Sequence, residues 1–323
     1  MGWIAITICA LVAIVVAALA GMIAFGTAAA PAPLASISAP FKKVDFRDLP
    51  GVEMLAAANG RQIAFRHYSA SPRAGEPERV VIAVHGSSAT SSSLHPLAKA
   101  LSAQGLAVYA PDIRGHVNTG QRGDIAYATE LDDDFADFVA MVRARHPNAR
   151  LVLIGFSSGG GFALHEAGSA LGKMLDRTVL LSPMLGPRAP TVRTGGDPWV
   201  KPYLPRIIAL LLLDRVGIHA FDYLPALAFA VAPEQADLLT ARYSFRLMRA
   251  FGTNDYAADL RNAASPIAVL VGEKDELFDA SLFAPTVHAV RPDVPVTVVP
   301  GLNHIEMTTD PRAAPAIVAA ATQ

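Results

Sequence analysis

The chain has 323 residues, of which 52% are hydrophobic and 17% charged, and its formal net charge is −1. This length supplies enough apolar material for one large α/β domain or two small ones. The near-neutral charge, with no basic run and few aromatic residues, argues against a nucleic-acid-binding protein. The single cysteine, Cys9, excludes an intrachain disulfide, so the fold depends on packing alone.

Residues 1–30 contain an uncharged apolar run from residue 3 to residue 25. About twenty apolar residues span the hydrocarbon core of a bilayer, so the run predicts a single transmembrane helix. The alternative is a cleaved signal peptide, because residues 27–30 are small. The anchor is favoured, since the run is longer than the apolar part of a signal peptide and no Lys or Arg precedes it.

Residues 31–50 connect this predicted anchor to the rest of the chain. The part from 31 to 40 has three prolines and no charge, which predicts an extended, Pro-rich tether. Three basic residues after the span weakly favour a cytoplasmic body, and two aspartates dilute that signal. These flanking charges are Lys42, Lys43, Asp45, Arg47 and Asp48. Cleavage of the N-terminal segment would instead predict a periplasmic or secreted protein.

From residue 52 onward, apolar strands alternate with amphipathic helices. Residues 52–57 and 62–68 predict two strands joined at Asn59-Gly60, a dipeptide that adopts the positive φ angles of a type I′ turn. The later alternation predicts a mostly parallel sheet with helices on both faces. The later strands are predicted at 80–84, 107–110, 151–154, 177–181, 267–271 and 294–299, and the helices at 94–104, 131–145, 162–171, 281–290 and from about 310.

The alternation stops between residues 183 and 264. About eighty residues intervene where a crossover between parallel strands needs about a dozen, which predicts an insertion. Its apolar runs 207–213 and 221–231 are interpreted either as two helices packed on the core or as the underside of a helical cap over a site. We favour the cap. Residues 51–182 and 265–323 then form the two parts of the α/β core.

Residues 153–161 read LIGFSSGGG, and the five residues from Gly155 to Gly159 fit the pattern GxSxG. Between a strand and a helix, this pattern predicts a strained turn that presents the hydroxyl of Ser157 at the carboxyl edge of the sheet. A phosphate-binding loop is disfavoured, because no Lys follows the glycines and the second glycine of GxGxxG is absent.

A serine hydroxyl needs a neighbouring base that a carboxylate orients. In hydrolases with this turn, the acid and then the histidine follow the serine along the chain. His304 follows the last predicted strand, whereas His288 falls inside a predicted helix, so His304 is the candidate base. Asp275 is the preferred acid because it lies nearer its strand than Asp279, whose position suits a helix cap. The weaker candidates for the acid are Glu276 and Glu273.

A serine that attacks an acyl carbonyl also needs hydrogen-bond donors nearby, because the carbonyl oxygen becomes negatively charged during the attack. The sequence His85-Gly86-Ser87-Ser88 follows the predicted strand 80–84, at the same edge of the sheet as Ser157. The backbone N–H groups of Ser87 and Ser158 are therefore the expected donors. The alternative is that the serine-rich stretch is a polar linker.

In order and spacing, these motifs resemble the α/β-hydrolase superfamily, and most closely its monoglyceride lipase, lysophospholipase and serine-aminopeptidase-like branch. The shared motifs are HG at 85–86, PDIRGH at 111–116, GFSSG at 155–159, GEKD at 272–275 and GLNH at 301–304. The chain departs from relatives at Val117 and in HGSS, where they often carry glycine. The resemblance implies a Ser-His-Asp hydrolase with a mobile cap and no cofactor, acting on an ester, thioester or amide.

Two further patterns do not indicate a metal site. Asp132, Asp133 and Asp134 fall in the first turn of a predicted helix, where the helix dipole favours acidic side chains and successive side chains point apart. His165-Glu166 lacks the second histidine of HExxH.

The motif at residues 111–116 is interpreted as structural. We expect Asp112, Arg114 and His116 to brace a loop rather than to catalyse.

The sequence therefore predicts a membrane-anchored serine hydrolase that forms an acyl-enzyme through Ser157, His304 and Asp275. The apolar cap and the anchor favour a lipid-like ester, such as a monoacylglycerol or a lysophospholipid. Aminopeptidase or small-ester activity is the alternative, and so is a catalytically silent fold that binds a lipid or a partner. Transfer of the acyl group to an alcohol other than water also stays open. Neither nucleic acid nor an obligate protein partner is expected.

Overall fold

An eight-stranded sheet of mostly aliphatic strands organises the protein. The structure, a computed structural model, describes residues 2–25, 29–58, 60–71, 78–195 and 197–323. The strands are β1 (Glu53–Ala56), β2 (Gln62–Tyr68), β3 (Arg79–Val84), β4 (Ala107–Pro111), β5 (Arg150–Phe156), β6 (Arg177–Leu181), β7 (Val200–Pro202), β8 (Pro225–Phe229), β9 (Arg242–Ser244), β10 (Ile267–Gly272) and β11 (Val296–Val299). The large sheet has the order β1-β2-β4-β3-β5-β6-β10-β11. Only the pairs β1/β2 and β2/β4 in it are antiparallel.

Helices cover both faces of this sheet and form part of the inserted segment. They are α1 (Gly2–Ala24), α2 (Ala35–Ser38), α3 (His95–Ala103), α4 (Glu130–Arg145), α5 (Ser158–Gly168), α6 (Leu204–Asp214), α7 (Phe245–Ala250), α8 (Tyr256–Asn262), α9 (Phe283–His288), α10 (Glu306–Thr309) and α11 (Ala314–Thr322). Short 3-10 turns lie between several of them. Asn59 lies outside the described residues, so the predicted turn type stays a prediction.

The central strands are apolar on both faces because helices cover both. Along β3, Val80, Ile82 and Val84 belong to one apolar cluster, and Val81 and Ala83 belong to the other. Side chains alternate between the faces of a strand, so a strand covered on both sides needs an unbroken aliphatic run. The predicted parallel sheet with helices on both faces is confirmed. Its parallel strands end at one edge, which brings the loops after β3, β5, β10 and β11 together.

The inserted segment, residues 183–264, contains strands as well as helices. It includes α6, α7 and α8, and also an antiparallel sheet of β7, β8 and β9 that we did not predict. The apolar run 221–231 contains the strand β8 rather than a helix. Its hydrogen bonds go to β7 and β9, which lie more than ten residues away along the chain. Local periodicity does not report such pairing, so the run resembled a helix.

The segment after α1 is folded against the domain, so the prediction of an extended tether is wrong. It contains α2 and a 3-10 turn, Pro40–Lys43. Ile37 is 8% exposed and belongs to an apolar cluster with residues of α3, and Leu34 and Phe41 pack against the same cluster. Three apolar side chains at three- and four-residue spacing give one face of a helical turn, which the prolines around them obscured.

Helix α1 is exposed except near its C-terminal end. An 18-residue window within Trp3–Ala24 has a mean hydropathy of 2.8, and no residue of that window is buried. Ile23 packs beside Leu210 of α6, and its carbonyl accepts a hydrogen bond of 2.9 Å from Nε of Arg206. The end of α1 therefore rests on the inserted segment.

Glu166, on α5, makes stability depend on pH. Its side chain is fully buried, and one carboxyl oxygen contacts the Ser169 hydroxyl at 3.2 Å while the other has no partner among the described residues. Burial, reinforced by the Asp132 carboxylate, raises the pKa of Glu166 to about 8. The folded protein therefore keeps a proton that the unfolded chain loses near its usual pKa of 4.5, and stability falls as the pH rises through this window.

Glu166→Gln is expected to remove this dependence, because glutamine does not ionise. Between about pH 5 and pH 9, the unfolding free energy of the wild type should fall by about 2–4 kcal/mol relative to the variant. Urea denaturation of both proteins in the same detergent measures the difference. Parallel stability curves for the two proteins would contradict a buried, protonated Glu166.

Candidate active site

Ser157 lies in a strained turn between β5 and α5. Its φ is 55° and its ψ is −119°, a region that residues with a side chain rarely adopt. Close backbone approach requires glycine on both sides: a Cβ on Gly155 would lie 2.2 Å from the carbonyl oxygen of Gly159, and one on Gly159 would lie 2.2 Å from that of His85. The GxSxG pattern therefore forms a sharp turn, and the packing around it keeps Ser157 in its strained backbone conformation.

The imidazole of His304 and the carboxylate of Asp275 are in contact. His304 Nδ1 lies 2.8 Å from Oδ2 of Asp275, and the two side chains come from the loops after β11 and β10. Both residues are almost completely buried. The other carboxylate oxygen accepts hydrogen bonds from the amides of Leu277 at 3.0 Å and Phe278 at 2.9 Å.

Charge on Asp275 fixes the tautomer of His304. Burial raises the pKa of Asp275, but His304 and the backbone amide of Phe278 outweigh that effect and hold the pKa below its usual value. An ionised Asp275 only accepts hydrogen bonds, so Nδ1 of His304 is the donor and carries the proton. In the neutral tautomer that this contact selects, Nε2 is the nitrogen that can accept a proton.

The other candidate acids have different partners. Asp279 accepts hydrogen bonds from the amide and hydroxyl of Ser281 at 3.0 and 2.7 Å, which caps the following 3-10 turn. Glu276 accepts from the backbone amide of His304 at 3.0 Å, and Glu273 accepts from that of Gly301 at 2.8 Å. Both glutamates thus hold the loop that carries His304, a role that sequence position alone did not indicate.

Ser157 and His304 line one cavity of about 150 Å³. Gly86 and Ser87 of the loop after β3 also line this cavity, as does Trp199 of the inserted segment. Much of the remaining lining is apolar: Ile37, Phe41, Leu238, Leu239, Leu277 and Ile305. A wider surface depression of about 510 Å³ lies against α3 and contains neither Ser157 nor His304. Ser157, His304 and the apolar side chains therefore line the same cavity, which is the smaller of the two.

The two expected oxyanion donors lie at the edge of the sheet near Ser157. Neither the N–H of Ser87 nor that of Ser158 has a hydrogen-bond partner within the part of the chain that the structure describes. Ser158 is the first residue of α5, where the N–H groups have no acceptor inside the helix. The Ser87 hydroxyl accepts a hydrogen bond of 3.0 Å from the indole N–H of Trp199, so the inserted segment holds this loop directly.

A buried chain of hydrogen bonds supports the residue next to Ser87. The N–H of Ser88 donates to the hydroxyl of Tyr243 at 2.5 Å, and that hydroxyl lies 2.5 Å from Nε2 of His116. Burial, together with His85, holds the pKa of His116 well below its usual value, so the ring is neutral. His116 Nδ1 donates to the carbonyl of Ile113, and Nε2 then accepts from Tyr243. Tyr243 lies on β9, and no motif in the sequence pointed to it.

Tyr243→Phe is expected to destabilise the protein by about 1–3 kcal/mol, because the buried N–H of Ser88 loses its acceptor. We also expect a lower kcat, since Ser88 adjoins Ser87, whose N–H is the predicted oxyanion donor. Urea denaturation and steady-state kinetics measure the two effects. Tyr223→Phe is the matched control, because Tyr223 is 54% exposed in the same inserted segment. Equal stability of the two variants would show that the contact is not stabilising.

The motif from Asp112 to His116 braces the loops around the site, as expected. Asp112 accepts hydrogen bonds from the amide of Ser91 and from the side chain of Asn118. The buried Arg114 guanidinium donates two hydrogen bonds to the carboxylate of Asp134, at 2.6 and 2.9 Å.

The consecutive aspartates 132–134 do not act as one group. Asp134 contacts Arg114, whereas Asp133 accepts a hydrogen bond of 2.6 Å from the hydroxyl of Tyr127. No group of candidate metal ligands occurs among the described residues.

Comparison with known proteins places the chain in a family. The family model of the serine aminopeptidases, S33, matches residues 75–312. A monoacylglycerol lipase of Mycolicibacterium smegmatis is 29% identical over 248 residues, which cover 73% of this chain and 84% of that protein.

Solved structures share the fold at low sequence identity. A soluble variant of monoglyceride lipase from Saccharomyces cerevisiae, solved with a substrate analog, gives a TM-score of 0.63 at 17% identity, covering 86% of this chain and 95% of that one. The esterase domain of a Rhodothermus marinus protein gives 0.53 at 15% identity, with coverage of 84% and 96%. The chain belongs to the serine aminopeptidase S33 family, has the α/β-hydrolase fold, and is a serine hydrolase.

Proposed function

We propose that this protein is a membrane-anchored esterase that cleaves carboxylic esters with apolar, lipid-like acyl groups through Ser157, His304 and Asp275. The observation that carries the proposal is the position of Ser157 and of the Asp275-bound His304 in one largely apolar cavity. The similarity of this chain to the monoacylglycerol lipase of M. smegmatis supports this substrate class.

The proposed reaction proceeds in two steps. Ser157 Oγ attacks the acyl carbonyl while His304 Nε2 takes its proton, and Asp275 stabilises the imidazolium that forms. The N–H groups of Ser87 and Ser158 stabilise the oxyanion. The intermediate collapses as His304 protonates the leaving alkoxide, which departs as the alcohol. Water then attacks the acyl-enzyme by the same route, releasing the carboxylic acid and returning the proton to Ser157.

The cavity favours an ester over a peptide substrate. An aminopeptidase binds the charged ammonium group of its substrate, and burying that charge requires a partner of opposite sign. The described residues that line the cavity include no Asp or Glu. The aliphatic and aromatic lining instead suits an acyl chain, whose burial contributes about 0.8 kcal/mol per methylene.

The anchor and the inserted segment support a position at the bilayer. Helix α1 is long and apolar enough to span a membrane, and its last turn packs on α6. The side chains of Leu204, Ile208 and Leu212 on α6 are exposed although they are apolar. An exposed apolar face beside a membrane span is stabilised by contact with lipid. The packing of Ile23 on α6 also favours retention of the N-terminal segment over its cleavage.

A substrate panel tests the proposal on the full chain in detergent micelles. We expect kcat/KM for p-nitrophenyl esters to rise from acetate to octanoate, by up to about fourfold per methylene. Monoacylglycerol should be hydrolysed, and an aminoacyl p-nitroanilide should be a poor substrate. A maximum at acetate, or faster cleavage of the anilide than of every ester, would contradict the proposal. Added alcohol acceptors test for acyl transfer in the same assay.

A further inference from the structure

The segment between α1 and β1 supplies part of the cavity wall. We define the juxtamembrane segment as residues 34–48. Three of its side chains, Ile37, Phe41 and Phe46, line the cavity that contains Ser157 and His304. We propose that this segment determines acyl-chain specificity, with Ile37 and Phe41 limiting the length of acyl chain that the cavity accepts; this inference rests on the proposed esterase function.

Specific contacts fix the juxtamembrane segment to the domain. Ile37 is buried in the same apolar cluster as Leu97 and Leu101 of α3. Asp48 contacts Nζ of Lys99 at 2.6 Å and Nε2 of His95 at 3.2 Å. The segment is therefore held by apolar packing near one end and by charged contacts at the other.

An aromatic contact joins the cavity-lining part to the same helix. The ring of Phe46 stacks on His95 with centroids 5.8 Å apart and an angle of 27° between the planes. His95 is itself held by the hydroxyl of Tyr68, 3.0 Å from Nδ1. A wall supported in this way keeps its position while substrate enters, which is what discrimination between chain lengths requires.

The inserted segment lines the same cavity as the juxtamembrane segment. Leu238 and Leu239 of that segment line the same cavity as Ser157 and His304, and several serine and threonine side chains add to its polar part. An acyl group bonded to Ser157 in this cavity lies among apolar side chains from both segments. The match to the family begins at residue 75, so the juxtamembrane segment lies outside the shared region.

Two substitutions with opposite effects test the proposal. Ile37→Trp adds volume to the wall and should lower the ratio of kcat/KM for octanoate to that for acetate by about tenfold or more. Phe41→Ala removes volume and should raise the ratio for dodecanoate over octanoate by several-fold. The matched controls are Leu34→Trp and Leu34→Ala, because Leu34 packs on the same cluster but does not line the cavity. The controls should keep both ratios within about twofold of the wild type.

The proposal is overturned if Ile37→Trp and Phe41→Ala keep the wild-type ratios, or if the Leu34 variants shift them equally. Should Ile37→Trp fail to fold, the dodecanoate ratio of Phe41→Ala decides alone. Labelling rates with short- and long-chain alkyl fluorophosphonates provide a readout that does not need ester turnover. A wild type that labels but cleaves no ester contradicts the esterase function, and the effect of Ile37 and Phe41 on labelling then decides the wall proposal separately.

Discussion

Replacing Ser157 with alanine is expected to lower kcat for ester hydrolysis by about 10⁴- to 10⁶-fold, because the nucleophile and the acyl-enzyme route are lost together. The same variant should not react with an active-site fluorophosphonate. The positive φ of Ser157 is strained for alanine as for serine, so folding should be preserved, which circular dichroism and urea denaturation check.

A substitution of the adjacent residue, Ser158, distinguishes the role of the Ser157 hydroxyl from that of the Ser158 backbone N–H. Ser158→Ala removes a hydroxyl but keeps the backbone N–H that we assign to the oxyanion. This variant should still label with the fluorophosphonate and lose far less activity than Ser157→Ala. Full labelling of a folded Ser157→Ala protein, or loss of labelling in Ser158→Ala alone, would overturn the assignment of the nucleophile.

Asp275→Asn is expected to lower kcat by about 10³- to 10⁴-fold while the protein remains folded. Asparagine has nearly the same shape, but it carries no charge to stabilise the imidazolium. Its amide can also donate to Nδ1, which favours the tautomer with the proton on Nε2. Steady-state kinetics on an ester of high turnover measure the loss.

Asp279→Asn is the matched control, since the same change is made four residues away. Asp279 caps a 3-10 turn and does not contact His304, so its kcat should stay within a few-fold of the wild type. A large loss for Asp279→Asn with little effect of Asp275→Asn would move the acid to Asp279. Equal losses would show that the loop, rather than one carboxylate, is required.

Acid stability gives a second readout for Asp275. Its pKa is lowered in the folded state, so the stability that it contributes is present above the usual pKa of 3.8 and is lost as the pH falls through the folded value. Between about pH 5 and pH 3, the wild type should therefore lose more unfolding free energy than Asp275→Asn. This comparison does not depend on catalysis.

Local patterns predicted the parts of the fold that local forces determine. The strand β3 is an unbroken aliphatic run because helices cover both of its faces, and such a run is visible in the sequence. Gly155 and Gly159 are required by close approach at the turn, so the GxSxG pattern located Ser157. The contact between Asp275 and His304 followed from strand ends that meet at one edge of a parallel sheet.

The parts that sequence analysis missed depend on contacts between distant segments. The strand β8 forms because β7 and β9 supply its partners, and Tyr243 supports Ser88 across 155 residues of sequence. The prolines in and before the juxtamembrane segment predicted an extended tether, whereas Ile37 is buried in an apolar cluster with residues of α3. Such contacts leave no local pattern, so the lining of the cavity was less predictable than the motifs at the strand ends.

Helix α1, the proposed anchor, and the cavity wall belong to one continuous stretch of chain. Helix α1 ends on the inserted segment, and the juxtamembrane segment that follows it reaches the cavity. In the proposed function, this arrangement places an apolar acyl site next to the bilayer from which an amphiphilic ester would come. In that function, both sides of the cavity are connected to parts of the protein that face the membrane.

The most direct test of the account is the position of the acyl group in a trapped intermediate. The full chain is mixed with excess p-nitrophenyl octanoate, quenched in acid during the burst of nitrophenol release, digested and mapped by mass spectrometry. We predict an octanoyl group on Ser157 in the wild type, at close to one per chain if deacylation is slow, and none in Ser157→Ala. Acylation of another residue, or turnover that persists in Ser157→Ala, would contradict the account.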